Sequence, residues 1–339
     1  MSVFFKKLLG FLLFLVGFAL AIQLLVDWRI RHKVVTGVDT LDFTEGQDMQ
    51  LVFLGSSRCY AGFDPALYEK ALGIHAANLG VDGHSELAMH MLRLQKYLAK
   101  NPAPRVALLA FDPMVSTGSL ENNQNMVAKN QFARYAFWPS QANEPIVRYF
   151  HFDPLERNIP LYALLKYKLL PHCLTLSKDD VWKRNRYDRH DEQWDTVSRP
   201  MSTSVELTNY YFDTSAAAVK GLEKGLWSLD SICVRHHIIL VCVQAPMYRI
   251  GYIKYKFDLT GKICADLHIP FFDLCTPELV DSIDNFYNID HCNTTGVTKM
   301  AHVLLADTAF TRLFAFAKRD STRYLPAVTS GHPAVTRRD

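Results

Sequence analysis

The chain has 339 residues, with 37 Lys and Arg against 34 Asp and Glu and a formal net charge of +3. Those figures exclude a disordered or collagen-like chain, and neither the small net charge nor any run of like charges suits a surface that wraps nucleic acid. At about 150 residues per domain, the length fits two domains or one α/β domain carrying a long insertion.

In chain order, Lys6-Lys7 precede an apolar run from Leu8 to Val26 whose one strongly polar member is Gln23. That length crosses a bilayer as a helix. Ala19-Leu20-Ala21 has the small-x-small form of a cleavable signal, but Leu24-Leu25-Val26 prolong the run past it, so residues 1–34 are expected to be an uncleaved anchor. Lys6 and Lys7 on one side face Arg29, Arg31 and Lys33 on the other, so flanking charge does not set the orientation. A polar linker is expected over residues 35–48.

An α/β domain is expected over residues 49–318. Strand candidates at Leu51–Leu54, Ile74–Asn78, Arg105–Phe111, Ile238–Gln244 and Pro270–Leu274 alternate with helical periodicity at Glu86–Ala99 and Ser215–His236. A last helix is predicted from about Thr295 to Phe314, capped by Asn293 or Thr294. The alternation predicts a three-layer, doubly wound parallel sheet. An insertion at about 115–212 is too long for a bare loop and is read as a helical subdomain. Its aromatic residues Tyr135, Phe137, Trp138, Tyr149, Phe150 and Phe152 are expected to pack it onto the sheet, with a lipid or acyl pocket as the alternative. The charged stretch Lys183, Arg184, Arg186, Asp188, Arg189, His190, Asp191 and Glu192 reads as a solvated face, or as a contact for anionic lipid headgroups. Residues 319–339 read as a loose tail.

Seven cysteines, at 59, 173, 233, 242, 264, 275 and 292, contain no C-x-x-C pair and read mostly as buried, inert thiols. His84, His90 and His236-His237 lack the spacing of a metal site.

The chemistry-bearing residues fall at the carboxyl ends of the predicted strands, where open parallel sheets bind ligands. The first strand ends in Gly55-Ser56-Ser57-Arg58, the second in Asn78-Leu79-Gly80-Val81-Asp82-Gly83, the third in Phe111-Asp112-Pro113, and the fifth leads to Asn288-Ile289-Asp290-His291-Cys292-Asn293. Each turn alone is an ordinary cap or glycine turn. Together they bring a Ser, a Gly-rich turn, an acid and a His to one edge.

With Gly55-Ser56-Ser57-Arg58, Asn78-x-Gly80-x-x-Gly83 and His291 with Asn293 and Gly296, the sequence resembles the SGNH (GDSL-like) hydrolases. Within them it is similar to the membrane-anchored acyl-transfer branch that includes the D-alanyl transfer protein of lipoteichoic acid synthesis and the alginate O-acetylation proteins. The resemblance implies a flavodoxin-like SGNH fold, Ser57 as nucleophile with Ser56 where many members have Asp, and His291 as general base and acid. It implies the Ser57 and Gly83 N–H groups as oxyanion donors, and no cofactor. Two positions depart from the pattern: Asp112 stands where an Asn usually donates to the oxyanion, and Asn288 stands where Asp usually precedes the His by three residues. The His is therefore oriented by Asp290 or by Asn288, or works in a dyad, with Asp284 a remoter candidate. Arg58 either holds a substrate anion or pairs with Asp64 or Asp82.

The expected function is that of an anchored, extracytoplasmic serine-dependent O-acyltransferase or esterase, periplasmic in a Gram-negative cell, acting on an envelope glycan or lipid. A multi-spanning membrane-bound O-acyltransferase is the partner that the resemblance implies. The alternative is an inactive SGNH-like binding or scaffold protein that keeps the fold.

Overall fold

Five short strands, β1 (Leu51–Leu54), β2 (Ala76–Asn78), β3 (Val106–Phe111), β4 (Ile239–Gln244) and β5 (Phe271–Asp273), form one parallel sheet in the order β2-β1-β3-β4-β5. This is the doubly wound order found in flavodoxin-like folds. The computed structural model describes residues 3–32, 39, 41–84, 86–111, 126–174, 187–196, 215–249 and 254–315. Asp112, Lys183, Arg184, Arg186, Ser85 and residues 316–339, on which sequence readings also bear, lie outside them.

The helices are α1 (Val3–His32), α2 (Ser57–Tyr60), α3 (Pro65–Leu72), α4 (Leu87–Leu98), α5 (Met126–Phe132), α6 (Glu144–Tyr149), α7 (Pro154–Asn158), α8 (Tyr162–Lys166), α9 (Leu170–Leu174), α10 (Ala216–Arg235), α11 (Lys254–Asp266), α12 (Pro277–Val280), α13 (Thr294–Ala306) and α14 (Thr308–Ala315). The apolar runs of the central strands are continuous because both faces are covered. Val52, Leu54, Ala107, Leu109 and Phe111 face a core shared with Leu94 of α4 and Leu222, Leu226 and Leu229 of α10. Leu51, Phe53, Val106, Leu108 and Ala110 face Tyr68 of α3, Met300 and Leu304 of α13 and Phe310 of α14.

The final helix predicted over 295–314 is two helices. Asp307 is extended (φ −73°, ψ 118°), and its carboxylate accepts from the Ala309 N–H at 2.7 Å and the Phe310 N–H at 3.3 Å. A short acidic side chain that bonds nearby N–H groups ends one helix and caps the next.

The insertion builds its own core. Phe132, Tyr135, Ile146, Tyr149, Phe150, Phe152, Leu164 and Tyr167 cluster with Val26 and Ile30 of α1 and Met89 of α4. Tyr135, Tyr149, Phe150 and Phe152 thus pack the insertion against α4 and α1, not against the sheet as the sequence suggests, while Trp138 is 67% exposed.

The segment read as a linker is partly packed. Leu41–Thr44 is a 3-10 turn, and Asp39, 4% exposed, pairs with Arg93 at 2.7 Å and accepts from the Tyr135 hydroxyl at 2.7 Å. Asp42 pairs with Lys96 and Arg134, each at 2.7 Å. Burial alone would raise the Asp42 carboxyl; Arg134 and Lys96 outweigh it and hold it below its ordinary value. Arg93, Lys96 and Arg134 face the two carboxylates, and Lys96 is also desolvated. Burial pushes its ammonium down to about 8, against the upward pull of Asp42 and Asp39.

Candidate active site

The turn after β1 presents Ser57. Gly55 takes φ +152°, and a Cβ there would lie 2.5 Å from that of Cys59 and 2.9 Å from the Ala110 carbonyl oxygen. Glycine alone permits this path beneath the following turn. Ser56 caps α2, its Oγ accepting from the Arg58 N–H at 3.3 Å. Ser57 is therefore the first residue of a helical turn, with its side chain free to leave the sheet edge.

Asn78, at the end of β2, holds this turn from below. Its Nδ2 donates to the Cys59 and Phe63 carbonyls, both at 2.8 Å, and its Oδ1 accepts from the Gly80 N–H at 2.8 Å. The loop beyond is tied to β1 by Val81 N–H to Gly55 O at 3.0 Å, and Gly83 turns at φ +73°. Among the described residues, neither the Ser57 nor the Gly83 N–H donates to a main-chain carbonyl.

The loop from Phe286 to Cys292 closes as a narrow antiparallel turn, with Tyr287 N–H to His291 O at 3.1 Å. Asn293 fixes it to α13: Nδ2 donates to the Asp284 carbonyl at 2.9 Å, and Oδ1 accepts from the Gly296 N–H at 3.1 Å. This loop carries His291 to Ser57, with Nε2 2.8 Å from Oγ.

Of the two residues expected to orient the ring, Asn288 is the one that reaches it: its Oδ1 lies 2.9 Å from His291 Nδ1. The same oxygen accepts from the Asp290 and His291 N–H groups, both at 2.9 Å. Two main-chain donors require an oxygen there, so the amide cannot be flipped. Nδ1 must then carry the proton, and Nε2 is left as the acceptor for the Ser57 hydroxyl. Asp284 meets the loop through its main-chain carbonyl.

Arg58 lies inside the site. It is 5% exposed, and its guanidinium donates to the carbonyls of Ala245 at 2.6 Å, Pro246 at 3.1 Å and Asp290 at 3.2 Å. It thereby joins α2 to the end of β4 and to the His291 loop. Asp64 instead caps α3 by accepting from the Ala66 N–H at 3.0 Å.

A contributor that the sequence reading missed is the segment 187–196. Asp188 N–H donates to Tyr60 O at 3.0 Å, Thr294 N–H to His190 O at 2.7 Å, and Trp194 N–H to Phe286 O at 3.0 Å. The segment thus straps the nucleophile turn to the His291 loop. Arg189, Asp191 and Glu192 are more than half exposed, as a solvated face requires, whereas Asp188 and His190 point inward. The His190 ring stacks on Tyr287 at 3.8 Å, and Tyr287 stacks on His291 at 5.5 Å. The D-R-H-D-E alternation was a weak signal: an imidazole between acids at i−2 and i+2 in an extended chain meets both.

Asp188 hydrogen-bonded to the ring raises the His190 pKa above its ordinary 6.5, burial opposes this, and Glu192 adds to it. A raised folded-state value places the stabilisation fully below pH 6.5 and removes it as pH rises through that value. Hydrogen exchange at the Thr294 and Asp188 amides should accordingly quicken as pH rises past neutrality, beyond the intrinsic pH dependence. Asp188→Asn should flatten that extra dependence; an unchanged profile would show that His190 does not hold the strap through its charge.

The Cys59 thiol donates to Asn78 Oδ1 at 3.5 Å, and the Cys275 thiol to the Ala245 carbonyl at 3.6 Å. All seven thiols are free, six of them buried, and burial pushes Cys173 up to about 11 and Cys233 up to about 12.

No family model matches the chain, and no curated protein matches it. Among solved structures it is similar to a proposed acylhydrolase from Bacteroides fragilis NCTC 9343, at 9% identity over 80% of this chain and 90% of that one, with a TM-score of 0.36. It is also similar to a GDSL-like lipase from Bacteroides thetaiotaomicron VPI-5482, at 10% identity over 74% of this chain and 83% of that one, with a TM-score of 0.33. Scores this low leave the strand order and the Ser57, His291 and Asn288 geometry of this chain as the grounds for a functional reading.

Proposed function

We propose that the chain is a serine-dependent acyl-ester hydrolase or O-acyltransferase, held at a membrane by α1 and working through an acyl-Ser57 intermediate. The observation that carries this is the 2.8 Å contact between Ser57 Oγ and a His291 ring whose proton-bearing nitrogen is fixed by Asn288. Ser57 Oγ attacks an acyl carbonyl while Nε2 takes its proton. The imidazolium then returns the proton to the departing alkoxide. In the second half, Nε2 takes a proton from water or an acceptor hydroxyl as that oxygen attacks the acyl carbon, and the imidazolium returns the proton to Ser57 Oγ as the acyl–Oγ bond breaks.

The Ser57 and Gly83 N–H groups are the oxyanion donors in this reading, each worth about 3–4 kcal/mol of barrier when well aimed. The motif resemblance supports an envelope glycan or lipid as acceptor, an extracytoplasmic site and a membrane-bound O-acyltransferase as acyl supplier. One candidate membrane helix suits a substrate made at the membrane but cannot itself carry an acyl group across.

Full-length protein in detergent, treated with a fluorophosphonate and weighed intact, tests the reading. One adduct is expected, lost in Ser57→Ala, strongly slowed in His291→Ala and retained in Ser56→Ala. A folded protein that takes no adduct would sink catalysis by Ser57 and leave the scaffold role.

A further inference from the structure

We propose that the inserted helices α8 and α9 are a second membrane-contacting surface, lying in the headgroup and upper acyl layer of a lipid bilayer, with Leu165 and Leu174 entering it. The proposal rests on reading α1 as a membrane span.

The anchor is not a free helix along its length. Its side chains are largely exposed from Val3 to Phe18, and from there one face is taken up by the insertion: Ala19, Ile22, Val26 and Ile30 recur at helical spacing in the insertion's core, and Gln23, buried between them, bonds Leu161. At 1.5 Å per residue the free part rises about 24 Å, less than the roughly 30 Å of hydrocarbon in a bilayer. The interval from Lys7 to Asp27, the first charge on the far side, rises about 30 Å and matches it. A span of that length must include the docked part, and whatever is docked there enters the bilayer with it.

Gln23 marks the depth. It lies one turn, about 6 Å, before Asp27. Its Nε2 donates to Asp27 Oδ1 at 3.0 Å, and its Oε1 accepts from the Leu161 N–H at 2.8 Å. Leu161 precedes α8 at φ +64° with no side-chain cap of its own, so this N–H is one of the orphan donors of a helix start. An unpaired amide and an unpaired N–H are both costly in hydrocarbon, and each satisfies the other here. The contact holds Leu161 at the depth of Gln23.

Leu165 stands one turn beyond Leu161 and is 57% exposed; Leu174, on the helix that packs against α1, is 52% exposed. Exposed Lys168 follows Leu165 by three residues, and its stem is long enough to reach headgroup phosphates, whereas Lys166 is held by Asp153 at 3.0 Å and Glu156 at 2.8 Å. These leucines are two of several exposed apolar side chains outside α1. Beside an anchor already in lipid they complete one apolar surface.

The test places an environment-sensitive nitrobenzoxadiazole label at Leu12→Cys, Leu165→Cys, Leu174→Cys or Val234→Cys in the full chain. Cys275→Ser removes the one native thiol that is not buried. The proteins are reconstituted in phosphatidylcholine and phosphatidylglycerol vesicles with and without spin-labelled lipid. Labels at 12, 165 and 174 should shift to the blue and be quenched by the lipid, and the label at 234 should do neither. Quenching at 12 with aqueous emission at 165 and 174 overturns the proposal and spares the anchor; aqueous emission at 12 overturns both. A blue-shifted label at 165 or 174 that lipid does not quench places a protein on that face and also overturns it.

Discussion

Asp39→Ala is expected to lower the stability of the full-length protein by about 3–5 kcal/mol, the usual result of removing one partner of a buried ion pair. Arg93 is fully buried, and Asp39 Oδ1 is its carboxylate partner at 2.7 Å. Without it the guanidinium keeps its desolvation cost and loses its counter-charge. The Tyr135 hydroxyl, which donates to the other carboxylate oxygen at 2.7 Å, is left with only the longer contact to Asp42 at 3.4 Å. Arg93 also donates to the Leu79 carbonyl at 2.6 Å and the Gly80 carbonyl at 3.3 Å. The same change should therefore loosen the loop that carries Gly83, and fluorophosphonate uptake should slow even where the protein remains folded. Urea unfolding measures the first effect and single-site labelling rates the second. A loss under about 1 kcal/mol, the range of solvated pairs, would mean that water reaches the network.

Asn288→Asp is expected to speed acylation of Ser57 by about tenfold or more on the alkaline plateau, because one pKa unit of added preference for the imidazolium corresponds to about 1.4 kcal/mol. The carboxylate can accept the same three hydrogen bonds as the amide oxygen and adds the charge that the amide lacks. It also raises the His291 pKa. The base must be neutral to act, so the acid limb of the rate profile should move to higher pH by about 1–2 units, and the variant should fall below the parent in acid. In a serine protease, Asn in place of the triad Asp costs about 10⁴ because it enforces the wrong tautomer. Here the Asp290 and His291 N–H groups hold the oxygen toward the ring, so the natural Asn288 spares that loss. Rates equal to those of the parent at every pH would show that Nδ1 gains nothing from charge.

What the sequence displayed well was periodicity. Each of the five strands lies within the run predicted for it, because strands buried on both faces are short, apolar and bounded by turns. The order of the motifs was enough to bring Ser57 and His291 to one edge. Polar pairings between distant segments leave no periodic trace, and those were lost: Asp39 with Arg93, Arg58 with three carbonyls, and the strap at 187–196. The choice between Asn288 and Asp290 was likewise beyond spacing, since it depends on which of two neighbouring side chains the turn points inward.

The strand order also fixes a schedule for assembly. β3 is central, and its longest ladder, six registered positions from Val106 opposite Ile239 to Phe111 opposite Gln244, is with β4. β4 follows about 130 residues later, so at chain growth of 5–20 residues per second β3 waits roughly 6–25 s for its partner. During that interval Val106–Phe111 is an apolar strand with one edge open, the kind of template on which other chains aggregate. The insertion emerges within this delay, and its docking on α4 and α1 does nothing to close that edge. A nascent chain of this protein should therefore depend on a holding chaperone from the completion of β3 until β4 is made, and a shortened insertion should relieve that dependence.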